Sequence, residues 1–181
     1  MLEVRRERPN VWREEREWSR RRAPWEWLRK SGSLTAHLRQ LGDVQVDVLY
    51  EHLIVVGPHA STIGRQRSTA MWTRDVTLRV EGRPAIVART LVEAADSDAA
   101  WRAIKGLQDK PLATILYDDA AVRRSPFEYC LLGPEHRLYR LARRVEPITG
   151  HQRLWARRSV FERRGARLAV AECFLPWLYR P

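Results

Sequence analysis

AMWTRDVTLRVEGRPAIVARTL, residues 70–91, decides how the rest of the chain is read. Ala70, Trp72, Val76, Leu78 and Val80 fall on one face of a period-2 pattern, and Thr73, Asp75, Thr77 and Arg79 fall on the other. Side chains alternate across a strand, so this pattern predicts a half-buried β-strand, and the stretch as a whole reads as a β-hairpin. Glu81-Gly82-Arg83-Pro84 supplies the turn, because glycine takes positive φ freely and proline stops a central ladder. One residue breaks the alternation: Arg74 lies on the apolar face, between Trp72 and Val76. A lone buried guanidinium is costly unless an anion pairs with it. That anion is either a carboxylate from elsewhere in the chain or a ligand.

The same kind of break recurs in Arg167 to Pro176, RLAVAECFLP, where Leu168, Val170, Glu172 and Phe174 share one face. Glu172 is a carboxylate on an apolar face, as Arg74 is a cation on one. In one reading the two pair directly as a buried salt bridge. In the other they stand at opposite ends of a pocket and hold a polar ligand between them. Pattern alone leaves both open.

A chain of 181 residues with 44% hydrophobic content is enough for one globular domain with a core. No apolar run reaches the ~18 residues of a membrane span. The start, MLEVRRERPN, has no apolar signal region, which places the protein in the cytoplasm by default. The formal net charge is +11, which favours anionic partners in general. The surplus is nearly all arginine, the lysines being Lys30, Lys105 and Lys110. A high-GC coding sequence gives that bias without any function, so we assign no nucleic-acid partner. Cys130 and Cys173 sit in strand-like runs without CxxC spacing and read as buried, reduced thiols. His37, His52, His59, His136 and His151 are scattered, so no metal site is expected.

Residues 1–22 are dense in Arg and Glu around Trp12 and Trp18, and read as a charged arm, helical or disordered, ahead of a domain over 23–181. Trp25 and Leu28, then Leu34, Leu38 and Leu41, recur at helical spacing around Ser31-Gly32-Ser33. They predict two short helices, the second capped by Ser33, ended by Gly42, and offering free N–H groups to an anion at its start. Val44 to Tyr50 is a strand, His52 to Val56 a second apolar run, and 57–69 a loop. A helix capped by Asp96 or Ser97 buries Ala99, Ala100, Ile104 and Leu107. After a break at Gln108 to Pro111, a further helix buries Leu112, Ile115 and Leu116. Phe127 to Leu132 is a strand, and Pro134 to Ile148 is Arg-rich and either helical or extended. Trp155 to Glu162 and Leu168 to Leu175 form a last hairpin about Arg163-Arg164-Gly165. Strands in hairpins, with helices in separate blocks, predict an antiparallel sheet in an α+β fold.

Gly32-Ser33-Leu34-Thr35, Trp72-Thr73-Arg74, Gly82 to Thr90, Lys110-Pro111-Leu112, Leu154-Trp155-Ala156-Arg157-Arg158-Ser159 and Glu172 to Pro176 together resemble the chorismate pyruvate-lyase family. They run in family order over most of the chain after Trp25, while residues 1–22 have no counterpart and 132–152 is longer than in family members. The resemblance implies a single antiparallel sheet with helices, and an internal ligand site under two helix–turn–helix flaps. It implies a cofactor-independent lyase that converts chorismate to 4-hydroxybenzoate and pyruvate for ubiquinone; we expect a monomer, without integral membrane segments.

By the same resemblance, Arg74 holds the ring carboxylate and Glu172 meets the 4-hydroxyl. Leu34 and Leu112 give main-chain N–H groups to the ring carboxylate, with Leu34 standing where the family often has Met. Arg89 matches an arginine of the binding region and is the candidate for the enolpyruvyl carboxylate. Burial of Glu172 favours its neutral form and Arg74 its charged one, so its protonation stays open. The same fold serves as the effector-binding domain of some repressors, so a non-catalytic binder of a small aromatic carboxylate is the alternative.

Overall fold

A computed structural model of the chain describes residues 12–18, 21–57, 68–148 and 152–179. The central hairpin consists of β2 (Thr69–Val80) and β3 (Arg83–Glu93). Its turn is tighter than the sequence suggests. Glu81 and Gly82 alone lie between the strands, with φ of 49° and 76°. Two left-handed residues make a turn whose twist matches that of the strands. Pro84 lies inside β3, opposite Arg79, while Leu78 faces Ile86. Ala85 is thus the extra residue of a bulge, the kind of place where a sheet accepts proline.

The two apolar runs before the hairpin are one strand, β1 (Val44–Val56). It pairs with β2 and shifts register between Val48 and Tyr50. Val46 therefore shares a face with Leu78 and Tyr50 shares one with Asp75, so the sequence parity flips at Leu49. The later strands are β4 (Val122–Arg124), β5 (Glu128–Leu132), β6 (Leu154–Arg163) and β7 (Ala166–Phe174). The order across the sheet is β1-β2-β3-β7-β6-β4, with β5 also paired to β6, and every pairing is antiparallel. β3 and β7 pair with Ala88 opposite Glu172 and Thr90 opposite Val170, which joins the two hairpins. The fold is α+β with a single antiparallel sheet.

One face of the sheet is covered by α2 (Trp25–Leu28), α3 (Leu34–Leu38), α4 (Ala94–Asp98), a 3₁₀ turn over Arg102–Gly106, and α5 (Ala113–Leu116). Ser33 caps α3, accepting from the Ala36 N–H at 3.2 Å. The single helix expected to bury Ala99 to Leu107 is instead α4 and the 3₁₀ turn, split at Ala99. Glu93 holds its N-cap position, and the Ser97 hydroxyl donates to the Ala94 carbonyl at 2.7 Å from inside the helix. Trp101, Ile104, Leu107 and Leu116 fill the space against Trp72, Phe161 and Leu168.

The other face carries α6 (Arg137–Val145), which settles the Arg-rich stretch as helical. Leu138, Leu141, Ala142 and Val145 recur at helical spacing and pack on Val87, Cys130 and Cys173. His136 caps α6, its Nδ1 accepting from the Leu138 N–H at 3.2 Å. Burial, with Arg89 next, pulls its pKa down to about 4. Residues 12–18 of the arm lie against the sheet. Arg13 exchanges backbone hydrogen bonds with Tyr129 at 3.0 and 2.8 Å, and α1 (Glu15–Trp18) follows. Trp18 donates Nε1–H to the Tyr129 carbonyl and stands edge-on to Trp155. Most of the 57–69 loop, the first eleven residues and residues 149–151 lie outside the described residues. Among the described residues no helix is long and apolar enough to cross a membrane.

Candidate active site

Period-2 alternation on four neighbouring strands aims one set of side chains at one cavity. β2 contributes Arg74, Val76 and Leu78, and β3 contributes Ala88 and Thr90. β7 contributes Val170 and Glu172, and β6 contributes Arg157, Ser159 and Phe161. Leu34 and Thr35 of α3 and the segment 110–117 around α5 roof the space. The walls are mostly apolar, so the few polar groups decide what the cavity accepts.

Arg74 is 2% exposed. Its Nη2 donates to the Gln108 carbonyl and, at 3.4 Å, to the Lys110 carbonyl, both in the break before α5. Gln108 adopts a φ of 48° there. Arg74 Nη1 is buried without a hydrogen-bond partner, and among the described cavity-lining residues Arg74 is the one with such a side-chain atom. Burial pulls the guanidinium below its ordinary pKa, while Glu51, opposite it on β1, and Asp109 push the other way. A buried cation with an unpartnered nitrogen is a site for an anion.

Glu172 does not pair with Arg74. Its partner is Arg157, directly opposite on β6, whose Nε donates to Oε2 at 2.5 Å. Arg157 Nη1 donates to the Leu28 carbonyl at 3.2 Å and to the Lys30 carbonyl at 2.6 Å. The guanidinium is 1% exposed and lies 4.2 Å from the Phe127 ring centre and 5.5 Å from that of Phe174. Arg74 is two strands from Glu172 and two residues along, which separates their Cα atoms by roughly 12 Å at ordinary sheet spacing. Of the two readings open in the sequence, the direct salt bridge is excluded, and the two residues line one cavity from separate strands.

Arg89 is a correction. It lies between the cavity-lining Ala88 and Thr90, so its side chain points to the opposite face. There it forms a bidentate pair with its cross-strand partner Asp75, at 2.7 and 2.6 Å. Arg137 of α6 approaches the same carboxylate at 3.6 Å. Asp75 is fully buried and holds Arg89 away from the cavity.

Leu34 at the start of α3 and Leu112 at the start of α5 both line the cavity. Several polar cavity residues were missed as site residues, among them Arg157 and Tyr117. Arg157 shares a period-2 face with Trp155, Ser159 and Phe161, the same signal that singled out Arg74. Tyr117 follows α5 and packs edge-on against Phe161. Burial and then Glu172 push its phenol pKa up, against the pull of Arg124 and Arg157. Among the described residues no three His, Cys, Asp or Glu side chains gather so as to hold a metal ion.

Comparison with known proteins agrees with this fold. Among solved structures, the C-terminal domain of the histidine utilization repressor from Pseudomonas syringae pv. tomato str. DC3000 matches with a TM-score of 0.55 at 11% identity, over 77% of this chain and 96% of that one. PhnF from Mycobacterium smegmatis matches with a TM-score of 0.56 at 10% identity, over 80% and 64%. At such identities the likeness shows the fold alone. Sequence similarity goes further. A probable chorismate pyruvate-lyase 1 of Burkholderia pseudomallei (strain 1710b) is 38% identical over 151 residues, covering 83% of this chain and 81% of its own. A probable chorismate pyruvate-lyase of Bordetella avium (strain 197N) is 39% identical over 160 residues, covering 85% and 77%. The chorismate lyase family profile matches residues 9–181, and the chain belongs to that family.

Proposed function

We propose that the cavity binds chorismate and splits it into 4-hydroxybenzoate and pyruvate. The observation that carries this is the unpartnered Nη1 of Arg74, a residue that lines the same apolar cavity as Glu172 in a chain of the chorismate lyase family. A flat ring with a carboxylate at one end and a hydroxyl at the other suits a cation and an acceptor on separate strands.

In the reaction the C3–O bond to the enolpyruvyl group breaks and the hydrogen on C4 is lost, which makes the ring aromatic. That hydrogen ends on the enolpyruvyl methylene and gives the methyl group of pyruvate. Aromatisation supplies the driving force, so the residues need to fix one conformer and keep water out. Arg74 Nη1 takes the ring carboxylate, with the main-chain N–H groups of Leu34 and Leu112 beside it. Glu172 accepts a hydrogen bond from the C4 hydroxyl. Val76, Leu78, Ala88 and Phe161 press on the ring. The transfer of hydrogen is direct through a six-membered cyclic arrangement, or stepwise through an acid and a base. No cofactor takes part in this scheme. We place the protein in the cytoplasm, as a monomer that supplies 4-hydroxybenzoate for ubiquinone.

The test is to incubate purified protein with chorismate and a chelator and to follow both products. Equal amounts of 4-hydroxybenzoate and pyruvate above the uncatalysed background are expected. Tight binding of 4-hydroxybenzoate with no turnover would favour a binding protein instead.

A further inference from the structure

We propose that Arg157 is a positioning residue that sets Glu172 for the hydroxyl end of the ligand. This deepens the reading of the cavity given above and rests on it. Arg157 and Glu172 are direct cross-strand neighbours, and Nε of the one holds Oε2 of the other at 2.5 Å. Oε1 is the oxygen outside that bond and the one offered to a cavity ligand.

The guanidinium itself has little freedom. Nη1 is engaged by the carbonyls of Leu28 and Lys30, at the C-terminal end of α2. Helix-end carbonyls lack intrahelical partners and favour a cation. The centres of the Phe127 and Phe174 rings lie 4.2 and 5.5 Å from the guanidinium carbon. With Nη1 held by the helix-end carbonyls, the planar fork sets the direction of Nε–H, and Glu172 stands there. Arg157 thus ties the carboxylate of the cavity to the flap made of α2 and α3. Its Nε and Nη1 are committed to protein, and the role proposed for it runs through Glu172. A lysine cannot substitute fully, because one ammonium cannot hold the carboxylate and both carbonyls in the same geometry.

Binding of 4-hydroxybenzoate and of benzoate, which lacks the hydroxyl, separates this role from simple support of the fold. Titration calorimetry should show that the full-length protein prefers 4-hydroxybenzoate. Arg157→Gln should cut that preference by about tenfold or more, the loss of a charge-assisted hydrogen bond, and leave benzoate affinity within about threefold. Glu172→Gln should cut it similarly, and the double variant should be no worse than Glu172→Gln alone. Arg157→Lys should fall between the protein and Arg157→Gln. Equal weakening of both ligands, or multiplied losses in the double variant, would overturn the proposal. If Arg157→Gln does not fold, Arg157→Lys decides, and an unchanged preference overturns it. No chorismate turnover enters these measurements, so an inactive protein would count against the proposed reaction and not against Arg157.

Discussion

Replacing Arg74 by methionine removes a guanidinium and keeps an unbranched apolar stem on the strand face it shares with Trp72 and Val76. The two consequences differ in size. In the ligand-free protein the lost bonds run from Nη2 to the Gln108 and Lys110 carbonyls. Hydrogen bonds from a charged donor contribute about 1.5–3 kcal/mol each, and a long 3.4 Å contact contributes less. Against that loss stands the relief of a buried cation whose Nη1 has no partner and whose pKa burial already depresses. The terms oppose, so stability without ligand should move by no more than about 2 kcal/mol. Binding should respond more strongly. Stripping one partner from a buried charge pair costs about 2–5 kcal/mol, or roughly 30- to 4000-fold in affinity for 4-hydroxybenzoate. Phenol keeps the hydroxyl and lacks the carboxylate, so its affinity should change by less than about threefold. Calorimetric titration of both ligands, beside thermal melts of the unliganded proteins, measures all of this. Equal losses for the two ligands would refute the reasoning. So would a fall in unliganded stability of about 3–5 kcal/mol, the mark of a broken buried ion pair.

The opposite face yields further expectations. His136 sits neutral at the start of α6, with a pKa of about 4 against an ordinary 6.5. A depressed pKa means that its contribution is whole above pH 6.5 and is lost as pH falls towards 4. The slope should reach up to ~1.4 kcal/mol per pH unit. His136→Asn keeps an N-cap acceptor and should flatten urea-melt stability over that window; an unchanged slope would refute the assignment. Arg89→Met should leave the buried Asp75 with the longer Arg137 contact and cost about 3–5 kcal/mol, with much of it recovered in Asp75→Asn/Arg89→Met. Additive losses in that pair would show that the two do not act together.

Much of this was legible in the sequence because it is local. Alternation and glycine turns mark both hairpins, and Arg74 and Glu172 stand out as charges on apolar faces. Other features depend on pairings between distant strands. Glu172 takes Arg157 rather than Arg74 because β6 lies beside β7, and nothing in either strand alone states that adjacency. Arg157 carried the same parity signal as Arg74, blurred by the neighbouring Arg158. Arg89 shows the reverse failing. Its parity already put it on the Asp75 face, and a resemblance in binding-region residues drew it into the site. The bulges at Leu49 and at Ala85 reset parity without a local mark. α6 was obscured by arginines, which dominate its composition while its leucines keep the helical period. β4 spans Val122–Arg124 and is too short for alternation to register.

The most direct test of the central claim is a crystal structure of the protein with 4-hydroxybenzoate. The ring should lie in the cavity between α3, α5 and the sheet, with its carboxylate on Arg74 Nη1 and its hydroxyl on Glu172. A ligand bound elsewhere, or one in the cavity with its carboxylate away from Arg74, would contradict the account.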